Sequence, residues 1–357
     1  MINKDKPYVI GIGEIYNESY QGKEIVGGVP LDFAYSGCIA GYKGGVISAT
    51  GNDEDGAWVE RVLKLRGLSD FCSKSTKYRT GKVHLTNDKS RFVDHDVPQD
   101  WAWTKMEAPE NLKDLAQQTR MVGWSAMAIQ YATTRKVIKD FVTQMDPTDT
   151  FKVFNMNIYF MQFTNLEALK EALQLCNVLE TNAMCFQELY ELLEVSDACS
   201  MDEVCWLLME KYDIKYIIYN CSCMCEVYHG KEKFTLHNHF NDDGSPDNMY
   251  LLDGAAYDVF FLASLLRGQD ISQSQTEAVR ALRYCGKTDY WFQKRILFLL
   301  DRTSRLLTKH AFHQLVDKYW RDDSTTTEVL GDMLTGSLRM MMHYDNLVYP
   351  KYEPEEY

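Results

Sequence analysis

The chain has 357 residues, of which 45% are hydrophobic, 25% charged and 13% aromatic. That is enough apolar content for one large domain, or a domain with an appendage, and too much for wholesale disorder. Lys and Arg total 38 against 51 Asp and Glu, a net charge of −13, so neither nucleic acid nor an anionic membrane is an expected partner, because both are gripped by clustered positive charge.

Residues 1–6 lead into a short apolar run, Tyr8 to Ile12, closed by Gly13, as a buried strand feeding a loop would be. Runs of the same kind predict strands over 45–50, 151–156, 177–180 and 216–219. Between them lie helical patterns. Thr164 with Glu167 is a capping box ahead of Leu166, Leu169 and Leu173, and Ser200 with Glu203 repeats it ahead of Val204, Leu207 and Leu208. Strands alternating with helices predict a mostly parallel sheet covered on both faces. Residues 76–96 alternate apolar and charged side chains around Asn87-Asp88 and predict a hairpin. From Ile271 to about His343 the period is helical, opened by a box from Ser274 to Glu277, and the chain ends in an acidic, Tyr-containing tail over 344–357. No apolar run reaches the roughly 18 residues of a spanning helix, and the ten cysteines read as reduced core residues of a cytoplasmic protein.

Four segments together resemble the ribokinase/PfkB family of small-molecule kinases. They are Gly13-Glu14-Ile15-Tyr16-Asn17-Glu18, Gly27-Gly28-Val29-Pro30-Leu31-Asp32-Phe33-Ala34, the run from Ser48 to Gly56 with Arg79-Thr80-Gly81, and Gly254-Ala255-Ala256-Tyr257-Asp258. The resemblance covers about 7–268. It implies a ribokinase-like doubly wound α/β domain over 1–270, with a small β lid from strands near 14–28 and 76–96. A helical segment over 271–343 and the tail would follow. It implies ATP and magnesium as co-reactants, transfer of the γ-phosphoryl to a hydroxyl of a sugar or similar polyol as in the fructokinase branch, and no structural cofactor. By the same resemblance Asp258 is the general base, Gly254, Ala255, Ala256 and Tyr257 line the phosphate turn, and Glu18, Gly27, Gly28 and Asp32 hold the sugar. Asn182 falls on the magnesium-organising motif.

The chain departs from that pattern on the nucleotide side. Tyr257 stands where a glycine lets phosphate approach backbone. Asn182-Ala183-Met184-Cys185 ends in a thiol where the family has a carboxylate, and a hard cation wants oxygen. Asn155-Met156-Asn157-Ile158-Tyr159 has lost the charged members of a sugar-kinase segment, and Tyr219 to Cys225 lacks the nucleotide-contacting glycines. Two readings therefore stand side by side: an ATP-dependent carbohydrate kinase, and a pseudokinase that keeps the fold as a sugar sensor or scaffold.

Other clusters carry less. Cys221, Cys223 and Cys225 share one face of a strand, with His229, His237 and His239 following, and fit either core residues or a soft-metal site. His310 with His313 fit an amphipathic helix face, and Met340, Met341 and Met342 with the tyrosines after them fit either a partner-binding surface or a last helix packed on the core with a frayed tail. A homodimer through the lid or the C-terminal helices is a further expectation, and truncation near Gln269 its test.

Overall fold

The structure is a computed structural model, and it describes residues 7–20, 23–85, 100–156, 165–182, 185–195, 199–220, 224–237 and 254–285. In chain order the first half forms β1 (Tyr8–Ile12), β2 (Tyr16–Tyr20), β3 (Lys23–Gly27), α1 (Val29–Ile39), β4 (Lys43–Ile47), β5 (Ala49–Gly51), α2 (Glu54–Leu65), β6 (Ser69–Asp70), β7 (Ser73–Ser75) and β8 (Gly81–Leu85). There follow α3 (Leu112–Gln117), β9 (Thr119–Ser125), α4 (Ala132–Val142), β10 (Phe151–Asn155), α5 (Leu166–Leu175), β11 (Val178–Thr181), α6 (Phe186–Leu193) and α7 (Met201–Tyr212). The described chain closes with β12 (Tyr216–Asn220), β13 (Met224–His229), β14 (Glu232–His237), α8 (Gly254–Leu266) and α9 (Ile271–Cys285).

Nine strands form one sheet in the order β14-β13-β12-β11-β10-β9-β1-β4-β6. Every pairing from β6 to β12 is parallel, and β13 and β14 add antiparallel. Side-chain alternation sorts the strands onto two cores. Ile10, Ile12, Val122, Trp124, Phe154, Leu179 and Ile217 face α4, α5, α6 and α7. Val9, Met121, Val153, Val178 and Ile218 face Phe33 of α1 and the apolar side chains of α8 and α9. The sheet is thus doubly wound. Construction runs outward from β1 both ways, so the carboxyl ends of β1 and β9 form the switch point at which ligands bind in such sheets.

A second sheet, β3-β2-β8, stands beside the first as a lid. Of the 76–96 hairpin reading the described residues hold one strand, β8, which runs parallel to β2, while the antiparallel partner of β2 is β3. Residues 86–96 lie outside the described residues.

Local chemistry explains several boundaries. Ser200 and Glu203 form the expected capping box of α7. At α5 the cap is Asn165, whose side chain accepts from the Ala168 amide, and Thr164 lies outside the described residues. The box expected at Ser274 is not the start of α9. That helix begins at Ile271, with the Gln273 amide donating to Asp270 Oδ1 at 2.8 Å, while Ser274 is buried inside it. The run 45–50 is broken into β4 and β5, the latter pairing β7 in a separate two-stranded ribbon.

Candidate ligand-binding cleft

At or next to the carboxyl end of four strands of the main sheet a large apolar residue is followed by a polar one: Trp124-Ser125, Phe154-Asn155, Leu179-Glu180 and Tyr219-Asn220. By alternation Ser125, Asn155, Glu180 and Asn220 point to the α1/α8 face at the carboxyl edge. Register places Ser125 beside Asn155 and Asn155 beside Glu180. All four are buried, with Glu180 fully so. Burial obliges these groups to find partners, and they find them in a row. Ser125 Oγ donates to Glu14 Oε2 at 2.6 Å, Asn155 Nδ2 donates to Glu180 Oε2, and Asn220 Nδ2 donates to Glu180 Oε1 at 3.0 Å.

Two carboxylates along this row each meet a helix N-terminus. At the β1 end, Glu14 Oε1 accepts from the Val29 amide in the first turn of α1 at 3.2 Å. Gly28, directly before α1, sits at φ 123°, and a Cβ there would collide with the Glu14 carbonyl. Only glycine suits both demands. Further along, the Glu180 carboxylate lies against the first residue of α8: a Cβ on Gly254 would overlap Glu180 Oε1.

The residues expected to hold a sugar fall around the α1 end. Gly27 closes β3 and is buried, Gly28 makes the turn, and Asp32 is a buried first-turn residue of α1 whose carbonyl accepts from Ser36 Oγ at 2.7 Å. Of Glu18 the structure describes the backbone alone, in β2. The expected phosphate-turn residues Gly254, Ala255, Ala256 and Tyr257, with Asp258, are all buried within α8, which is apolar almost all round. The Tyr257 ring turns into the core and stacks on Phe261 with centroids 6.0 Å apart. Burial pushes the thiol of nearby Cys225 up to about 12; the Tyr257 hydroxyl partly offsets this and the negative charges of Asp258 and Glu180 add to it.

The magnesium motif is turned inward. Asn182 is buried, and Cys185 Sγ donates to the Met156 carbonyl at 2.7 Å, so the thiol is engaged in the core. Among the described residues no three His, Cys, Asp or Glu side chains are placed to hold a metal ion. Of the histidine and cysteine cluster, Cys225 is a core residue and His229 stacks on Tyr216; Cys221, Cys223 and His239 lie outside the described residues, as do His310, His313 and everything from 286 onward.

Among the described residues the lid is fastened to the start of α2. The Thr80 hydroxyl donates to Asp53 Oδ1 at 2.6 Å and accepts from the Gly51 amide at 2.8 Å, and the Thr80 amide donates to Asp53 Oδ2 at 2.8 Å. Asp53 is also the N-cap of α2, accepting from Gly56. Burial pushes its carboxyl up, but the Thr80 hydroxyl and the Thr80 and Gly56 amides outweigh burial and hold it below the usual range. Asp55, in the first turn of α2, takes Asn17 Nδ2 of β2 and Lys82 Nζ of β8, each at 2.9 Å. Helix α2 therefore holds two lid strands.

No family model matches the sequence, and no curated protein matches it. Solved structures do. Apo adenosine kinase from Trypanosoma brucei brucei superposes with a TM-score of 0.62 at 10% identity, over 79% of this chain and 99% of that one. The fold is ribokinase-like. A sugar kinase from Pyrococcus horikoshii aligns on the same ribokinase-like core (TM-score 0.60, 16% identity, 83% of this chain and 99% of that one). Escherichia coli ribokinase II in complex with ATP and Mg2+ does so as well (TM-score 0.60, 16% identity, 82% and 99%). The structural neighbours are thus sugar and nucleoside kinases. No described helix is long and apolar enough to cross a membrane.

Proposed function

We propose that this chain is a small-molecule kinase of the ribokinase/PfkB type whose phosphoryl-transfer half is closed in the resting state. Its ligand is a sugar or a nucleoside, held between the lid and the switch point near Glu18, Gly27, Gly28 and Asp32. The observation that supports this reading best is the buried row of Ser125, Asn155, Glu180 and Asn220, which supplies hydrogen-bonding groups along the carboxyl edge where such sheets bind ligands. Gly28 allows backbone to approach a hydroxylated ligand closely.

The reaction that goes with this fold is transfer of the ATP γ-phosphoryl to a ligand hydroxyl, and Asp258 is the candidate base. The residues of this chain do not fit the nucleotide's phosphates and magnesium as they stand. Cys185 stands in place of a carboxylate and is bonded inward, and a carboxylate lies at the α8 terminus. These same observations favour the second reading, a sugar sensor or scaffold without catalysis.

Thermal melts of the purified protein against sugars and nucleosides test the pocket, because a ligand that binds only the folded state raises Tm by mass action. A dose-dependent rise of several degrees with one ligand class is expected, and ATP–magnesium alone is expected to give none. Silence across sugars and nucleosides would overturn the ligand reading. Turnover by the wild-type chain, lost in Asp258→Asn, would show that the phosphoryl-transfer half is open.

A further inference from the structure

The first turn of a helix presents amides without intrahelical partners and the positive end of the macrodipole, and so attracts an anion. Helix α8 is 13 residues long, ample for this effect. The group found against its first residue is the Glu180 carboxylate, so close that residue 254 has no room for a Cβ. Two independent features mark it as a built fit. Both carboxylate oxygens receive amide donors, from Asn155 at one oxygen and Asn220 at the other, and these donors stand on the two strands flanking β11. The orientation of Asn220 is also fixed at a cost: its Nδ2 serves Glu180, while its own Oδ1, in a residue only 4% exposed, is a buried acceptor with no partner among the described residues. Turning the amide over would place that oxygen against Glu180 Oε1, so the carboxyl oxygens of Glu180 dictate the arrangement.

We infer that Glu180 is a resident anion: its carboxylate occupies the anion seat of α8 and closes that end of the cleft to phosphate-bearing ligands. A second anion brought to the same seat would be repelled by the carboxylate already there, and Asp258 places another carboxyl group in the next turn of α8. Neutral, hydroxyl-rich ligands at the α1 end are unaffected. This deepens the proposed function by naming the group that closes its phosphoryl half, and it stands or falls apart from the identity of the ligand.

The test is chemical rescue. Glu180→Ala leaves a carboxylate-sized space lined by two amide donors and the start of α8, so it should melt below wild type and recover at least half of that loss in tens of millimolar sodium formate. Sodium chloride at equal ionic strength should restore nothing, and wild type should respond alike to both salts. Inorganic phosphate should likewise raise the Tm of Glu180→Ala but not that of wild type. Glu180→Gln, which fills the space with a neutral amide, should not be rescued. If Glu180→Ala does not fold in buffer, refolding yield in formate against chloride reads the same effect. A second measurement needs no added ligand: Gly254→Ala should lower Tm strongly in wild type and much less in the Glu180→Ala background. Equal responses to formate and chloride, or additive losses in the double variant, would overturn the assignment. A phosphate-induced rise in wild type equal to that in the variant would do the same.

Discussion

Gly28 stands at a left-handed φ with the Glu14 carbonyl against its α-carbon, so Gly28→Ala must strain the backbone or push β1's exit loop away from α1. The expected cost is about 1–3 kcal/mol, read as a lower Tm, together with loss of any sugar or nucleoside response. Asp258 offers a sharper separation. It is fully buried, and Asp258→Asn keeps its shape while removing the charge. If it is the base, turnover disappears while the ligand-induced melting shift survives. If it serves only the packing of α8, the substitution alters Tm and nothing else. The residues that set the carboxyl edge were present in the sequence as a repeated pattern, an apolar strand ending in Ser, Asn or Glu, yet no motif announces it. Glu180 lies two positions before the asparagine that resemblance singles out, and its importance comes from Asn155 and Asn220, distant in sequence and brought together only by strand register.

At the scale of elements, the lid is joined to the core through α2. Thr80→Val keeps the shape of the side chain but deprives Asp53 of a donor and the Gly51 amide of an acceptor, at about 1–3 kcal/mol for the groups left unsatisfied. The variant should melt earlier, and proteolysis near the lid strands should accelerate before the main sheet opens. Asp53 also gives a pH signature with a definite sign. Its carboxyl is held below the ordinary value in the folded protein, so the stability it contributes is present above the unfolded value near 4 and is lost as pH falls through the folded one. The Tm gap between wild type and Asp53→Asn should be open at pH 7 and narrow below about pH 4. A gap that is constant from pH 7 to pH 3 would mean that the charge on Asp53 does not hold the clasp. Capping chemistry was legible for α7 because Ser200 and Glu203 are adjacent in the helix they start. It misled for α9, where Ser274 and Glu277 have the right spacing but lie inside a helix already begun at Ile271. A local signal loses there to tertiary packing, because Ile271, Ala278 and Val279 must face the α8 core.

For the whole molecule, that packing changes where the C-terminal region can be cut. Helix α9 completes the layer over the sheet, and Gln275 Nε2 donates to the carbonyls of Cys225 and Phe234 at 3.2 and 3.3 Å. Truncation after Gln269 would expose that face and is expected to give aggregated protein, whereas a chain ending after Cys285 keeps every described element and is the form in which to ask what 286–357 contributes. The alternation of strands and helices made the parallel sheet legible from sequence, since apolar runs and helical periods are local properties. The lid was less so, because β2, β3 and β8 are short and their order mixes parallel with antiparallel neighbours that only the three-dimensional arrangement pairs. The starts of α1 and α8 each meet a carboxylate of the protein itself, Glu14 and Glu180, so the two positive helix ends are neutralised over a few ångströms, well inside the screening length of about 10 Å at 0.1 M salt. A neutral ligand in this cleft is recognised by hydrogen bonds and shape, and its affinity should stay level from 50 to 500 mM sodium chloride.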